Sequence, residues 1–128
     1  MLFISGVQSK EEQERICRAC GVPYLADWFC YAGYQDGVLR VACQFCIRGD
    51  EGHMHGVYLV PGVQDDEALL LTGRAVLNFL DRCTVKKVFF DNTDPAAEPI
   101  SRMIGFRTLP DGRRFVDLTG FFTDPCKH

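Results

Sequence analysis

The sequence predicts an α/β domain with a mixed β-sheet, and three observations predict it. First, His53 to Asn92 is a strand–helix–strand unit. A β-prone run from His53 to Val60 stops at Pro61-Gly62, a helical pattern opens at Asp65-Asp66-Glu67 and continues to about Arg82, and a second β-prone run spans Val85 to Asp91. Such a βαβ unit makes its two strands parallel, with a right-handed crossover through the helix. Second, Val38 to Arg48 alternates, with Leu39, Val41, Cys43, Phe45 and Ile47 on one face and Arg40, Gln44 and Arg48 among the residues of the other. That half-buried pattern suits an antiparallel hairpin. Third, Pro110-Asp111-Gly112 is a strong turn between two β-prone runs, Phe106 to Leu109 and Arg113 to Thr119. Parallel and antiparallel pairs in one chain make the sheet mixed.

The other elements follow in order. Leu2 to Val7 is apolar and reads as a strand. Ser9 and Glu12 form a capping-box pattern, and the helix they open runs to Gly21, a residue suited to a left-handed cap. Its apolar stripe is Ile16, Cys17, Ala19 and Cys20. Pro23 ends this segment. Asp27 to Ala32 is aromatic and β-prone, and Gln35-Asp36-Gly37 turns the chain into the alternating strand. Gly49 to Gly52 turns it again, into the strand that begins at His53. The long helix carries Gly73 in its interior, which costs roughly 1 kcal/mol against Ala, and a close helix–sheet approach is the expected reason. After a loop at Asn92 to Pro95, a short helix from about Ala97 to Ile104 ends at Gly105.

Composition narrows the function classes. A chain of 128 residues suffices for one domain, here 1–128, with its own core. The net charge of -3 argues against nucleic-acid binding, which needs Lys and Arg to neutralise phosphates. No run of 18 apolar residues is present, so no membrane span is expected. The first residues lack the basic and apolar regions of a signal peptide. With that, the odd count of seven cysteines predicts free thiols in a reducing cytoplasm.

Two CxxC pairs, Cys17/Cys20 and Cys43/Cys46, raise the question of zinc. In a strand, residues three apart face opposite sides, so Cys43 and Cys46 cannot chelate together. Cys17 and Cys20 share a helix face, but the apolar one, and at the C-terminal end, where no helix dipole favours a thiolate. The expected role of these cysteines is core packing, with no metal.

The order strand, helix, three strands, helix, strand, helix, two strands resembles the GNAT family of N-acetyltransferases. Asp36-Gly37-Val38-Leu39 resembles the family's hairpin between its second and third strands. Tyr58-Leu59-Val60-Pro61 resembles the end of its fourth strand, and Ala97 to Phe106 its last helix, which ends in Gly-Phe. The resemblance covers most of the chain and is clearest from Asp36 onward. It implies a GNAT-like fold, acetyl-CoA as cofactor, a small-molecule amine as acceptor, and direct attack of that amine on the thioester. It leaves a homodimer open. Tyr58, Leu59 and Val60 then fall on the strand whose backbone N–H groups polarise the thioester carbonyl.

Two departures accompany the resemblance. The family binds pyrophosphate on a Gln/Arg-x-x-Gly-x-Gly/Ala loop at a helix N-terminus, where free N–H groups and the helix dipole attract anions. Counted from Pro61, the motif positions fall on Gln64, Glu67 and Leu69, and only Gln64 matches. Aligned instead on Gly73, they fall on Ala68, Leu71 and Gly73. The family's thiolate-protonating tyrosine corresponds to Ser101, a poor proton donor, and Asp94 stands where asparagine is common.

The resemblance also assigns the acceptor side. His53 and His55, at the start of the fourth strand and on one face, lie where the family supplies its base, and an imidazole titrates in the right range. The plainer alternative is a solvated hairpin end. Asp91, closing the next strand, is a lesser candidate. Tyr24, Trp28, Phe29, Tyr31 and Tyr34 either line an acceptor pocket or fill the core. If the cofactor site has been lost, the remaining expectation is a non-catalytic GNAT fold that binds a small ligand or a protein. A zinc module is the third reading.

Overall fold

A computed structural model of the chain describes residues 1–123. Its elements are β1 (Leu2–Gly6), α1 (Lys10–Cys20), β2 (Phe29–Gln35), β3 (Val38–Arg48), β4 (Glu51–Leu59), α2 (Asp66–Arg82), β5 (Lys87–Phe90), a 3₁₀ turn (Pro95–Ala97), α3 (Glu98–Ile104), β6 (Arg107–Thr108) and β7 (Arg114–Asp117). The strands form one sheet in the order β1-β2-β3-β4-β5-β7-β6. Only β4 and β5 are parallel, joined by α2, and every other pair is antiparallel. The fold is therefore the mixed α/β sheet expected, with the βαβ unit at its centre.

Local chemistry fixes the ends of these elements. Ser9 accepts a hydrogen bond from the Glu12 amide at 3.0 Å, and Gly21 closes α1 in the left-handed region. Asp36 and Gly37 both have positive φ, 53° and 79°, as a two-residue hairpin turn whose twist matches its strands requires. This turn lets β2 run on to Gln35, so the strand lies further along than Asp27 to Ala32. The turn before β4 is tighter than expected as well. β4 opens at Glu51, and His53 and His55 lie inside it.

Helices cover both faces of the sheet. α2 and α3 pack on one face around Phe45, Met54, Val76, Leu77, Leu80, Val88, Phe90 and Ile104, and α1 packs on the other around Ile16, Cys20, Cys30, Ala32 and Ala42. Residues 41–46 of β3 are consequently buried on both faces, and the half-buried pattern read from the sequence is corrected there. On α1 the stripe also changes: Ala19 is exposed and Gln13 is buried.

Gly73 is explained by a helix, not by the sheet. A Cβ there would lie 2.5 Å from Ile104 Cδ1 and 2.8 Å from its Cγ1, so the glycine lets α2 and α3 touch. Ile104 is fully buried and has nowhere to move. Gly73→Leu is expected to destabilise the fold by about 3 kcal/mol, and Gly73→Ala by less, because Ala regains roughly 1 kcal/mol of helix propensity. Urea unfolding measures both, and equal stability of Gly73→Leu and wild type would show that α3 can shift aside.

Candidate functional site

The centre of β4 carries an irregularity that the sequence does not announce. β3 and β4 pair with Gln44 opposite Gly56, then Phe45 opposite Met54, so His55 is an extra residue in β4. It is a β-bulge, which re-aims side chains and disrupts the ladder. Beyond it the strict alternation of faces is offset by one. Met54 points into the α2 core, so His53 and His55 both face the α1 side. After the bulge Tyr58, three residues on, faces that side too.

His55 and Tyr58 meet as a result, with His55 Nδ1 hydrogen-bonded to the Tyr58 hydroxyl. Gly56 makes this contact possible, since a Cβ there would fall 2.9 Å from the Tyr58 ring. Trp28 stands edge-on to the imidazole, ring centroids 5.9 Å apart, and carries the Arg48 guanidinium on its face. Burial lowers the His55 pKa from its ordinary 6.5, against a smaller opposing pull from Asp91. Burial also raises Tyr58 far above the usual phenol range.

His53 sits two residues away in a different setting. Its Nδ1 is 3.1 Å from Asp91 Oδ1 and its Nε2 is 3.4 Å from Glu51 Oε1, while its ring stacks on Phe89. A small hollow of about 160 Å³ opens here, lined by His53, Phe89, Asp91, Thr93, Arg113 and Arg114 among others. Arg114 is 6% exposed and donates to the carbonyls of Asn92 and Asp94 at 2.6 and 3.1 Å. It fixes the loop that leaves β5.

Two buried amides hold Trp28 in place. Gln44 Oε1 accepts from Gln13 Nε2 and from the Leu25 amide, both at 2.9 Å, and Gln44 Nε2 donates to the Pro23 carbonyl at 2.7 Å. Lys10 Nζ reaches Gln13 and the Trp28 carbonyl. The chain from Pro23 to Trp28 is thus bound to the sheet through side chains on β3 and α1. Gln44→Leu leaves several buried groups unpaired and is expected to cost about 2–3 kcal/mol. It should also shift the emission of the single tryptophan to the red. Unchanged stability and emission would show that the segment is held in some other way.

β4 and β5 part just above the histidines. Their parallel pairing covers Glu51 to Met54 only, and the Asp91 amide bonds the Met54 carbonyl at 2.7 Å as the last link. Val60 donates to the Arg40 carbonyl at 2.9 Å, so by alternation Val57 and Leu59, not Tyr58 and Val60, direct their N–H groups into the gap. This corrects the expectation for Tyr58 and Val60: their amides belong to the sheet. Val57 was missed because the bulge sets the phase.

At the far end of the gap, Leu59, Val63, Gln64, Asp65 and Asp66 line a hollow of about 430 Å³. Asp65 caps α2, accepting from the Ala68 amide at 3.0 Å, and pairs with Arg40 at 3.1 Å. The Ala68 amide and the guanidinium hold its carboxyl below the usual range.

Not every residue singled out from the sequence converges here. His53, His55, Tyr58 and Asp91 gather on one face, and Leu59 and Gln64 line the gap's outer end. Gly73 lies mid-helix under α3, where its N–H cannot meet a phosphate, so its place among cofactor-binding residues is corrected. Ser101 is buried, its hydroxyl donating to the Glu98 carbonyl at 2.8 Å. Asp94 accepts from the Ala96 amide and caps the 3₁₀ turn.

Cys17, Cys20, Cys30, Cys43 and Cys46 are buried free thiols, and Cys83 is exposed, while Cys126 lies outside the described residues. Burial pushes Cys20 up to about 11 and Cys30 to about 12. Among the described residues no three His, Cys, Asp or Glu side chains group as a metal site would need, and no helix is long and apolar enough to cross a membrane.

Known structures share this architecture. The chain is similar to an IAA acetyltransferase of Bacillus cereus at 13% identity and TM-score 0.69, over 85% of this chain and 79% of that one. It is similar to the PaiA N-acetyltransferase of Thermoplasma acidophilum, solved with coenzyme A, at 10% identity and TM-score 0.69, over 90% and 96%. It is also similar to a GNAT-family acetyltransferase of Brucella melitensis, solved with acetyl-CoA, at 13% identity and TM-score 0.68, over 91% and 88%. No protein-family model and no curated protein matches the chain. The chain has the fold of the GNAT N-acetyltransferases. At these identities it is the fold that is shared, so activity has to be argued from the site.

Proposed function

We propose that this chain is a GNAT-type N-acyltransferase that moves an acetyl group from acetyl-CoA to a small-molecule amine. One observation carries the reading: the bulge at His55 coincides with the parting of β4 from β5, so backbone donors and a desolvated imidazole flank one gap. The thioester carbonyl would accept from the Val57 and Leu59 N–H groups, which stabilise the oxyanion as it forms. The amine nitrogen attacks the carbonyl carbon, the C–S bond breaks, and the amine's proton passes to His55.

His55 suits the base role better than His53. Both ring nitrogens of His53 already face carboxylates. In the tautomer with its proton on Nδ1, His55 donates to Tyr58 and keeps the Nε2 lone pair free. No tyrosine occupies the position of Ser101, whose hydroxyl is spent on a carbonyl. The leaving thiol, with a pKa near 8.5, departs as a thiolate and takes its proton from water.

A second reading, a GNAT fold that binds a ligand without catalysis, is favoured by the carboxylate of Asp65 at the N-terminus of α2. Calorimetric titration with acetyl-CoA separates the two. A saturable heat with Kd above about 10 µM is expected, growing tighter as salt screens Asp66 and Glu67. Failure to saturate at millimolar acetyl-CoA would favour the second reading.

A further inference from the structure

We propose that the donor is held by its pantetheine arm alone, with no affinity contributed by its diphosphate, so that the site accepts a short uncharged acyl thioester as well as it accepts acetyl-CoA. The proposal rests on the acyltransferase reading and specifies which part of the donor is recognised.

Two hollows lie in sequence from the gap outward. The first, about 430 Å³, is lined by Leu59, Val63, Gln64, Asp65 and Asp66. The second, about 190 Å³, lies between α2 and α3 and is lined by Asp66, Leu69, Ala96, Pro99, Ile100 and Met103. They share Asp66. Together they make a trough from Leu59 to Met103, polar along its first hollow and more apolar between α2 and α3. Its charged lining residues are Asp65 and Asp66, and neither hollow is lined by a lysine or arginine. Arg40, close by, is paired with Asp65.

A helix N-terminus can bind a diphosphate because its first amides lack partners. Here the Asp65 carboxylate already occupies that end. It accepts from the Ala68 amide at 3.0 Å. An incoming diphosphate would have to displace Asp65 from the helix end and from Arg40, and would then stand beside Asp66 and Glu67. A pantetheine arm carries amides and methylenes but no charge. It loses nothing to these carboxylates, and its alternating amides and methylenes suit walls that mix polar and apolar groups.

Calorimetry with S-acetylpantetheine and acetyl-CoA tests this on the intact protein. The two dissociation constants are expected to agree within about threefold. In the variant Glu67→Gln, at an exposed position that lines neither hollow, acetyl-CoA should tighten about twofold, as expected for loss of one partly screened charge. S-acetylpantetheine should not change. Acetyl-CoA binding at least tenfold tighter than S-acetylpantetheine in wild type would overturn the proposal and leave the acyltransferase reading standing. Saturation by neither compound would overturn both.

Discussion

His55→Ala protein is expected to transfer acetyl groups about 10²–10⁴-fold more slowly than wild type, the usual contribution of a positioned base. Thiol release from acetyl-CoA, screened over a panel of amines, gives the rate. The pH profile adds a sharper check. Burial lowers the His55 pKa below 6.5, so the neutral, competent imidazole persists further into acid than an exposed histidine would. The acidic limb of kcat/KM should therefore fall below 6.5 and disappear in the variant. Stability follows the same sign. A group whose folded pKa is depressed binds more protons unfolded, so its contribution is complete above 6.5 and is lost as pH falls toward the folded value. Tyr58→Phe removes the Nδ1 partner while keeping the ring, and should slow the reaction while sparing the fold. A His55→Ala enzyme that keeps the full rate would exclude this imidazole as the base.

Phe45→Ala should be the most damaging truncation to stability, at about 3–5 kcal/mol. Phe45 is 1% exposed, and its ring lies 5.5 to 5.6 Å from those of Phe29, Tyr31 and Phe79. It also sits opposite Met54, at the register step that makes the bulge. Removing the ring opens a cavity under that step, so the variant should lose donor binding before it unfolds completely. Urea unfolding gives the stability, and a loss below about 1 kcal/mol would mean that α2 collapses into the space.

What the sequence disclosed and what it hid divide by range. Ser9, Gly21, Asp36-Gly37 and Pro110-Asp111-Gly112 act on their immediate neighbours, and each marks its turn or cap as expected. The elements and their order follow from such signals and from periodicity. Gln13 and Gln44 look like surface residues because each is polar on a helix or strand. They are buried because each satisfies the other across 31 positions, a pairing that no local window contains. The reason for Gly73 is equally non-local: its partner, Ile104, belongs to a later helix and not to the sheet. The bulge was hidden most completely. His53, His55, Tyr58 and Asp91 all stand out in the sequence, but strict alternation sets His55 and Tyr58 on opposite faces, and the extra residue unites them.

That extra residue makes β4 a counting device. Deleting any single residue between Met54 and Tyr58 would restore an unbroken two-residue rhythm against β3. With both flanks held in register, His53 and Tyr58 would keep their partners on β3 while the spacing that brings His55 to the Tyr58 hydroxyl was lost. The chain can absorb length changes in the turn at Gly49-Asp50, but not in these few residues. Relatives with the same site should therefore be recognised by a fixed His-Gly-x-Tyr spacing, and a one-residue gap there would mark those whose chemistry differs.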